Sequence, residues 1–262
     1  MTRFDHSIRL TWLGHATTLI ELDGARVLTD PVLRDRIGPL TRTAPPVASA
    51  AAERVDAVLL SHLHHDHADL PSLMRLGAAT PVIAPRGSGS WLRRQGLEDV
   101  RELGAGQSVS IGSLEVTATE AVHDGRRHPL GTSADAVGFV VSGSCAVYFA
   151  GDTDLFPAMS DLAGSLDAAL LPVAGWGRTL GPGHLDAERA AIAAILTAPR
   201  LAIPIHWGTV APRARMLRAR DPLSAPREFA ALVARYAPTV EVRVLAPGEG
   251  TAVAAREAAA TP

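Results

Sequence analysis

Four side chains able to hold a metal ion crowd into six positions of this chain: His62, His64, Asp66 and His67, in the pattern His-x-His-x-Asp-His. They follow directly on Ala57-Val58-Leu59-Leu60. A short apolar run of this kind reads as a buried strand. The ligands therefore stand at the mouth of a strand, and the fold must offer an open sheet rim to which further ligands converge. The chain has only ten His and one Cys, so the clustering is a specific signal rather than a by-product of composition.

Composition removes most other chemistries. A chain of 262 residues makes one large domain or two small ones, and 47% hydrophobic with 20% charged residues suits a globular protein with a substantial core. The formal net charge of -2 gives no bulk attraction to nucleic acid or membrane, so no nucleic-acid partner is expected. All 25 basic residues are Arg, which excludes Schiff-base catalysis, a phosphate-loop lysine and a Ser-Lys dyad. The lone Cys145 excludes an intramolecular disulfide and a multi-Cys metal site. Residues 1–6 carry no apolar stretch of signal-peptide type, and no run reaches the ~20 apolar residues of a membrane span. A cytoplasmic protein is the expectation. Neither a Gly-x-Ser-x-Gly elbow nor a complete Gly-x-Gly-x-x-Gly loop is present.

Short strands separated by turns are expected at 8–12, 17–22, 26–29, 55–60, 81–84, 108–111, 114–119, 137–141 and 146–149, then at 168–171, 201–205 and 240–245. Helices are expected at 70–76, 88–94, 155–163, 186–196 and 225–236, and a Pro-containing loop at 41–49. The order, strands and then mixed strand and helix, repeats roughly twice. It suggests two mixed sheets face to face with helices outside, in a single domain over 1–253. The Ala-rich tail 254–262 is expected to fray.

His62 and His64 alternate on an extended segment and so share a side. Four ligands this close do not sit comfortably on one ion. They suit two, one held by His62 and His64, the other by Asp66 and His67, with the remaining ligands drawn from elsewhere. His123, Asp152 and His206 qualify, each just beyond an expected strand. Seven protein ligands and a shared water or hydroxide would then surround two divalent ions. The imidazole-rich set suits Zn2+, with Mn2+ or Fe2+ as substitutes. Ions ~3.5–4 Å apart acidify shared water and stabilise a developing oxyanion.

This constellation resembles the metallo-β-lactamase superfamily over nearly the whole chain. The resemblance implies a four-layer αββα sandwich of two mixed sheets, of α/β (α+β) class, with the metal site at one edge. It implies that His62, His64 and His123 hold one ion, that Asp66, His67 and His206 hold the other, and that Asp152 bridges them. Within the superfamily, Thr11-Trp12-Leu13-Gly14-His15-Ala16-Thr17, Leu28-Thr29-Asp30-Pro31, Gly151-Asp152-Thr153, Gly183-His184-Leu185-Asp186 and Ile205-His206-Trp207-Gly208-Thr209 are similar to the branch containing N-acyl-phosphatidylethanolamine phospholipase D. Ascorbate-6-phosphate lactonase-like hydrolases form a more distant branch. The likeness implies that His184 lies near the substrate. The chain departs from the branch at 174–180, which is Gly-rich.

The leading functional expectation is a binuclear zinc hydrolase. A metal-bound hydroxide attacks a phosphodiester-type substrate, Asp66 orients the nucleophile while ligating, and His184 protonates or positions the leaving group. A lactonase or other carboxyl-ester hydrolase acting on an anionic small molecule is the alternative. A di-iron redox protein is a second one, although it would favour a carboxylate where His64 stands. The partner is a small-molecule or lipid-derived anionic substrate, and a homo-oligomer is compatible with the sequence. His15 either faces the cleft as a substrate contact or is satisfied within its turn. Asp30 either orients a ligand imidazole or caps a turn. Arg178 and the run Arg213, Arg215, Arg218, Arg220 offer cations for an anion. His65 is expected to point away from the ions, and Arg126, Arg127 and His128 either line the cleft or, as the preferred reading, form a solvated loop.

Overall fold

Alternation of apolar and polar residues becomes sheet from the first described position. The computed structural model describes residues 7–128, 130–175, 180–212 and 221–255. In chain order the strands are β1 (Ser7–Gly14), β2 (Thr17–Leu22), β3 (Ala25–Thr29), β4 (Arg36–Ile37), β5 (Leu40–Arg42), β6 (Ala57–Leu59), β7 (Val82–Pro85), β8 (Val100–Leu103) and β9 (Ser108–Ile111). They continue with β10 (Leu114–Glu120), β11 (Val137–Ser142), β12 (Ala146–Phe149), β13 (Ala168–Pro172), β14 (Leu201–Ile205), β15 (Val210–Pro212), β16 (Glu241–Val242) and β17 (Gly250–Ala254). The α-helices are α1 (Leu70–Leu76), α2 (Gly89–Arg94), α3 (Ala187–Thr197) and α4 (Ser224–Tyr236).

Two seven-stranded sheets result, in the orders β17-β1-β2-β3-β6-β7-β8 and β16-β14-β13-β12-β11-β10-β9. Each is antiparallel on one side and parallel on the other. In β1 the residues Ile8, Leu10 and Trp12, spaced two apart, all point to one face and are fully buried. They share one core with Val116, Phe139 and Val141 of the second sheet, so the sheets pack face to face.

The outer faces are covered by helices. Leu73 and Leu92, from α1 and α2, pack on Val58, Val82 and Ala84 of the first sheet. On the second sheet, α3 buries Ala190, Ala191, Ala193 and Ala194. These small side chains let the helix lie close to the strands, and Phe229 and Val233 of α4 complete the layer. Asp186 caps α3 by accepting from Arg189 N–H at 2.9 Å, and Ala198 ends it with φ 42°. This is the four-layer αββα arrangement.

Several local expectations need correction. The segment expected to be helical at 155–163 forms a 3-10 helix, Pro157–Leu162, because Pro157 starts it and Gly164 stops it within two turns. The strand expected at 240–245 pairs only at Glu241–Val242. A third sheet, β15-β5-β4, occupies part of the expected loop, and β8 and β17 were not expected. Ala254, taken as the start of the tail, pairs with Ser7. No described helix is long and apolar enough to cross a membrane.

Candidate metal centre

Strand direction decides where the functional groups meet. β1, β3 and β6 run the same way in the first sheet, as do β10, β12, β13 and β14 in the second. His15 follows β1, Asp30 follows β3 and 62–67 follow β6. His123, Asp152 and His206 follow β10, β12 and β14. All of these groups therefore leave the carboxyl ends of strands, where α/β sheets open their clefts. The sheets touch at this rim. Val137 N–H donates to Ser61 O at 2.9 Å, and a Cβ on Gly151 (φ 61°) would lie 2.5 Å from Ser61 Cβ.

The side chains form two adjoining groups. In the first, His62 Nε2 is 2.9 Å from His64 Nδ1, which is 3.2 Å from His123 Nε2. In the second, His67 Nε2 is 3.2 Å from His206 Nε2 and 3.9 Å from Asp66 Oδ2. Asp152 stands against both, with Oδ2 3.2 Å from His67 Nε2 and Oδ1 3.3 Å from His206 Nε2. The His62 and His67 rings are 4.1 Å apart, so the groups are neighbours. The structure thus brings together all seven residues expected to be ligands. Within each of two sets, His62/His64/His123 and His15/Asp66/His67/His206, the donor atoms lie within 4.8 Å of one another.

Outer hydrogen bonds set the direction of each lone pair. His123 Nδ1–H donates to Gly183 O at 2.7 Å, and His206 Nδ1–H to Ala174 O at 2.7 Å. His67 Nδ1–H donates to Asp30 Oδ2 at 2.6 Å. Ser61 Oγ donates to Asp30 Oδ2 and so accepts from His62 Nδ1–H at 2.9 Å. When neutral, each of these four imidazoles carries its lone pair on Nε2, pointing inward: those of His67 and His206 face each other, and those of His62 and His123 both face His64 Nδ1. The lone pairs of His67 and His206, facing each other at 3.2 Å, repel unless a cation stands between them. The donor set therefore fits divalent metal ions.

Electrostatics agree with the geometry. Burial holds His62 well below the usual imidazole range, and burial holds His123 at about 4. Burial alone would raise Asp152, but His206 and His67 outweigh it and keep the carboxyl ionised. Asp66 is likewise ionised against burial, through His15 and His67. His67 differs. Burial pulls it down, yet Asp152 and Asp30 on its two sides hold it well above the ordinary value. A positive charge is favoured where a metal would bind.

The remaining expected residues divide. Asp30 is fully buried at φ 31° and accepts from Ser61 N–H, Ser61 Oγ–H and His67 Nδ1–H. His15, weighed as a substrate contact, is 2% exposed and is not part of the cleft wall. Its Nε2–H donates to Asp66 Oδ2 at 3.0 Å and its ring lies 3.9 Å from that of His206. Burial, then the neighbouring His206, hold its pKa at about 4. The reason is the tight turn at φ 53°, fixed by Thr209 Oγ1, Trp12 Nε1–H and His206 N–H, which turns the ring inward. Three of the six described non-glycine residues with positive φ, His15, Asp30 and His206, lie here, so backbone strain concentrates at the site.

His184 lines a cleft of about 490 Å³ above the cluster, with Nε2 3.7 Å from Asp152 Oδ2. The polar floor carries His64, Asp66, Asp152 and His206, while Ile37, Pro39, Leu40 and Leu180 give an apolar wall. Arg178 and Arg213–Arg220 lie outside the described residues, as does His6. His65 belongs to neither donor set but lines the cleft. His128 is exposed and does not line it. Arg127, expected in a solvated loop, instead lines the cleft. Two other contributors escaped sequence reasoning. Ser61 was legible as the residue just before the motif. Arg42, which donates to Leu13 O and Pro45 O beneath the His15 turn, carried no sequence signal.

The profile of the β-lactamase superfamily domain matches residues 25–207. A UPF0173 metal-dependent hydrolase of Methanopyrus kandleri is 36% identical over 92% of this chain and 98% of its own length. An uncharacterized protein of Mycobacterium tuberculosis is 34% identical over 77% of this chain, which spans 59% of that relative. An N-acyl-phosphatidylethanolamine-hydrolyzing phospholipase D of Caenorhabditis elegans is 31% identical over 76% of this chain and 63% of its own. Igni18, a metallo hydrolase of Ignicoccus hospitalis, shares the fold with a TM-score of 0.71 at 24% identity, over 94% of this chain and 98% of that one. With its buried His/Asp metal-binding cluster, the chain belongs to the metallo-β-lactamase superfamily of metal-dependent hydrolases.

Proposed function

We propose that the chain is a binuclear zinc phosphodiesterase. The observation that carries the reading is the set of inward lone pairs, fixed from outside by Ser61, Asp30, Gly183 and Ala174, with two ionised carboxylates among them. His62, His64 and His123 would hold one ion, Asp66, His67 and His206 the other, and Asp152 would serve both. Bound there, the ions supply Lewis acidity and a water acidified towards neutral pH. Resemblance to the phospholipase branch supports a phosphodiester over a lactone.

The chain's own groups complete the chemistry. His15 holds Asp66 through Oδ2 and so fixes the carboxylate that would aim the nucleophile. His184 Nδ1–H reaches Gly181 O and Pro182 O at 3.2 Å, which leaves Nε2 on the cleft side. Protonated there, Nε2–H can donate to the leaving-group oxygen, as a general acid within hydrogen-bond reach does. The apolar wall from β4 and β5 excludes water from one side of the substrate.

The test is elemental analysis together with a substrate panel of bis-p-nitrophenyl phosphate, phospholipids, lactones and a β-lactam, each with and without chelator. We expect two zinc equivalents per chain and chelator-sensitive hydrolysis of the diester, with Asp152→Ala abolishing both the second equivalent and the activity. A preference for lactones would refute the phosphodiester assignment. Bound iron with oxygen turnover would refute hydrolysis altogether.

A further inference from the structure

One cation beside the metal-binding loop, Arg127, makes no direct ion pair among the described residues. Arg127 Nη1–H donates to Leu63 O at 3.0 Å and to Ala68 O at 3.1 Å, so the guanidinium brackets the loop from both ends. Its Cζ lies 4.3 Å over the Trp91 ring. Arg34, Arg189 and Arg200 each meet a carboxylate. Arg127 has none within 4.0 Å among the described residues: burial pulls its pKa down, and the only carboxylate that offsets this, Asp69, is already held by Arg34. A partly desolvated guanidinium held rigidly by carbonyls and an aromatic face is prepared for an anion, because its hydration and side-chain entropy are already lost.

His65 adds a second donor. Arg127 Nη2–H donates to His65 Nδ1 at 3.0 Å, which places the proton of a neutral His65 on Nε2. His65 is exposed and, like Arg127, lines the cleft, beside His64 and Asp66 but outside both donor sets.

We propose that Arg127 and His65 form an anion-recognition arm on the cleft wall, which holds a negatively charged group that the substrate carries beyond its scissile bond. The substrate class is then a diester with a carboxylate or phosphate on one arm. This deepens the phosphodiesterase reading and rests on it for the reaction, though not for the binding.

The test uses the full chain loaded with its metal and three phosphonates: phenylphosphonate, 3-carboxyphenylphosphonate and 4-carboxyphenylphosphonate. The phosphonate occupies the metal centre in all three, so the ratio of Kd values, read by calorimetry, reports the remote carboxylate alone. We expect one carboxylated isomer to bind about tenfold more tightly than phenylphosphonate, the gain of a charge-assisted hydrogen-bonded contact. Arg127→Gln should erase the preference and His65→Ala should reduce it several-fold. Binding of the preferred isomer should change tryptophan emission, and Trp91→Phe should remove that change. Equal binding of all three probes by the wild type, or a preference that survives both substitutions, overturns the arm. So does an Arg127→Gln variant that weakens every probe alike, since that marks a brace of the loop and nothing more. If no diester is hydrolysed yet the variant-sensitive preference persists, the reaction reading fails and the arm stands. If bis-p-nitrophenyl phosphate is hydrolysed and no preference exists, the arm falls alone.

Discussion

Asp30→Asn isolates the control of metal binding from the metal ligands themselves. The carboxylate is buried and accepts three hydrogen bonds, from Ser61 N–H at 2.7 Å, from Ser61 Oγ–H and from His67 Nδ1–H at 2.6 Å. Asparagine keeps the shape and can keep its oxygen on Ser61 N–H. Its NH2 then stands where Oδ2 stood, and two donors would face each other at His67 Nδ1. The cheapest relief is for His67 to move its proton to Nε2, so that Nδ1 accepts. That puts N–H, instead of a lone pair, towards Asp152 and His206. Loss of an outer-shell partner of a ligand His typically costs 10–100-fold in metal affinity, which is about 1.4–2.7 kcal/mol. The loss should fall on the set Asp66, His67 and His206, leaving His62, His64 and His123 to bind as before. Competition against a chromophoric chelator resolves the two binding steps, and circular dichroism checks the fold. A folded Asp30→Asn protein that binds both equivalents with wild-type affinity would refute the tautomer argument.

Gly151→Ala should destabilise the protein by roughly 1–3 kcal/mol, since a left-handed backbone and a 2.5 Å approach to Ser61 Cβ coincide there. Urea unfolding measures this, and a neutral substitution would show that the rim yields easily. In chelator, stability should fall as pH drops below 6.5. His15, held at about 4 when folded, takes up its proton more readily in the unfolded chain, so its contribution is complete above 6.5 and disappears towards 4. Its share amounts to about 3 kcal/mol over the full window. His67, raised instead of lowered, has the opposite sign, and its slope lies above 6.5. His15→Phe should therefore flatten the acid limb of urea-derived stability between pH 6.5 and 5, and an unchanged slope would count against the assignment.

The metal cluster was legible because metals demand particular residue types, and each donor follows a strand whose apolar run can be read locally. His206 after Leu201–Ile205 is such a case. The small sheet of β4, β5 and β15 was not legible. Strands of two or three residues, β4 and β5 around Gly38-Pro39 and β15 far along the chain, are too short to show alternation. The pairing of β1 with β17 joins opposite ends of the sequence and leaves no local trace. His15 shows a third kind of limit. Its residue type suggested function, but whether it faced substrate or supported Asp66 depended on a turn whose partners, Thr209 and His206, lie far away in the chain. Arg127 is similar, since its carbonyl acceptors belong to another segment.

The pairing of Ser7–Thr11 with Gly250–Ala254 has a temporal consequence. The second strand of this pair emerges from the ribosome long after the first. Until then the first segment presents bare amides and carbonyls along one edge of its sheet, a surface prone to recruit any extended peptide nearby. That seam can close only once Gly250–Ala254 has been made, which makes those five residues a guard against self-association of nascent chains.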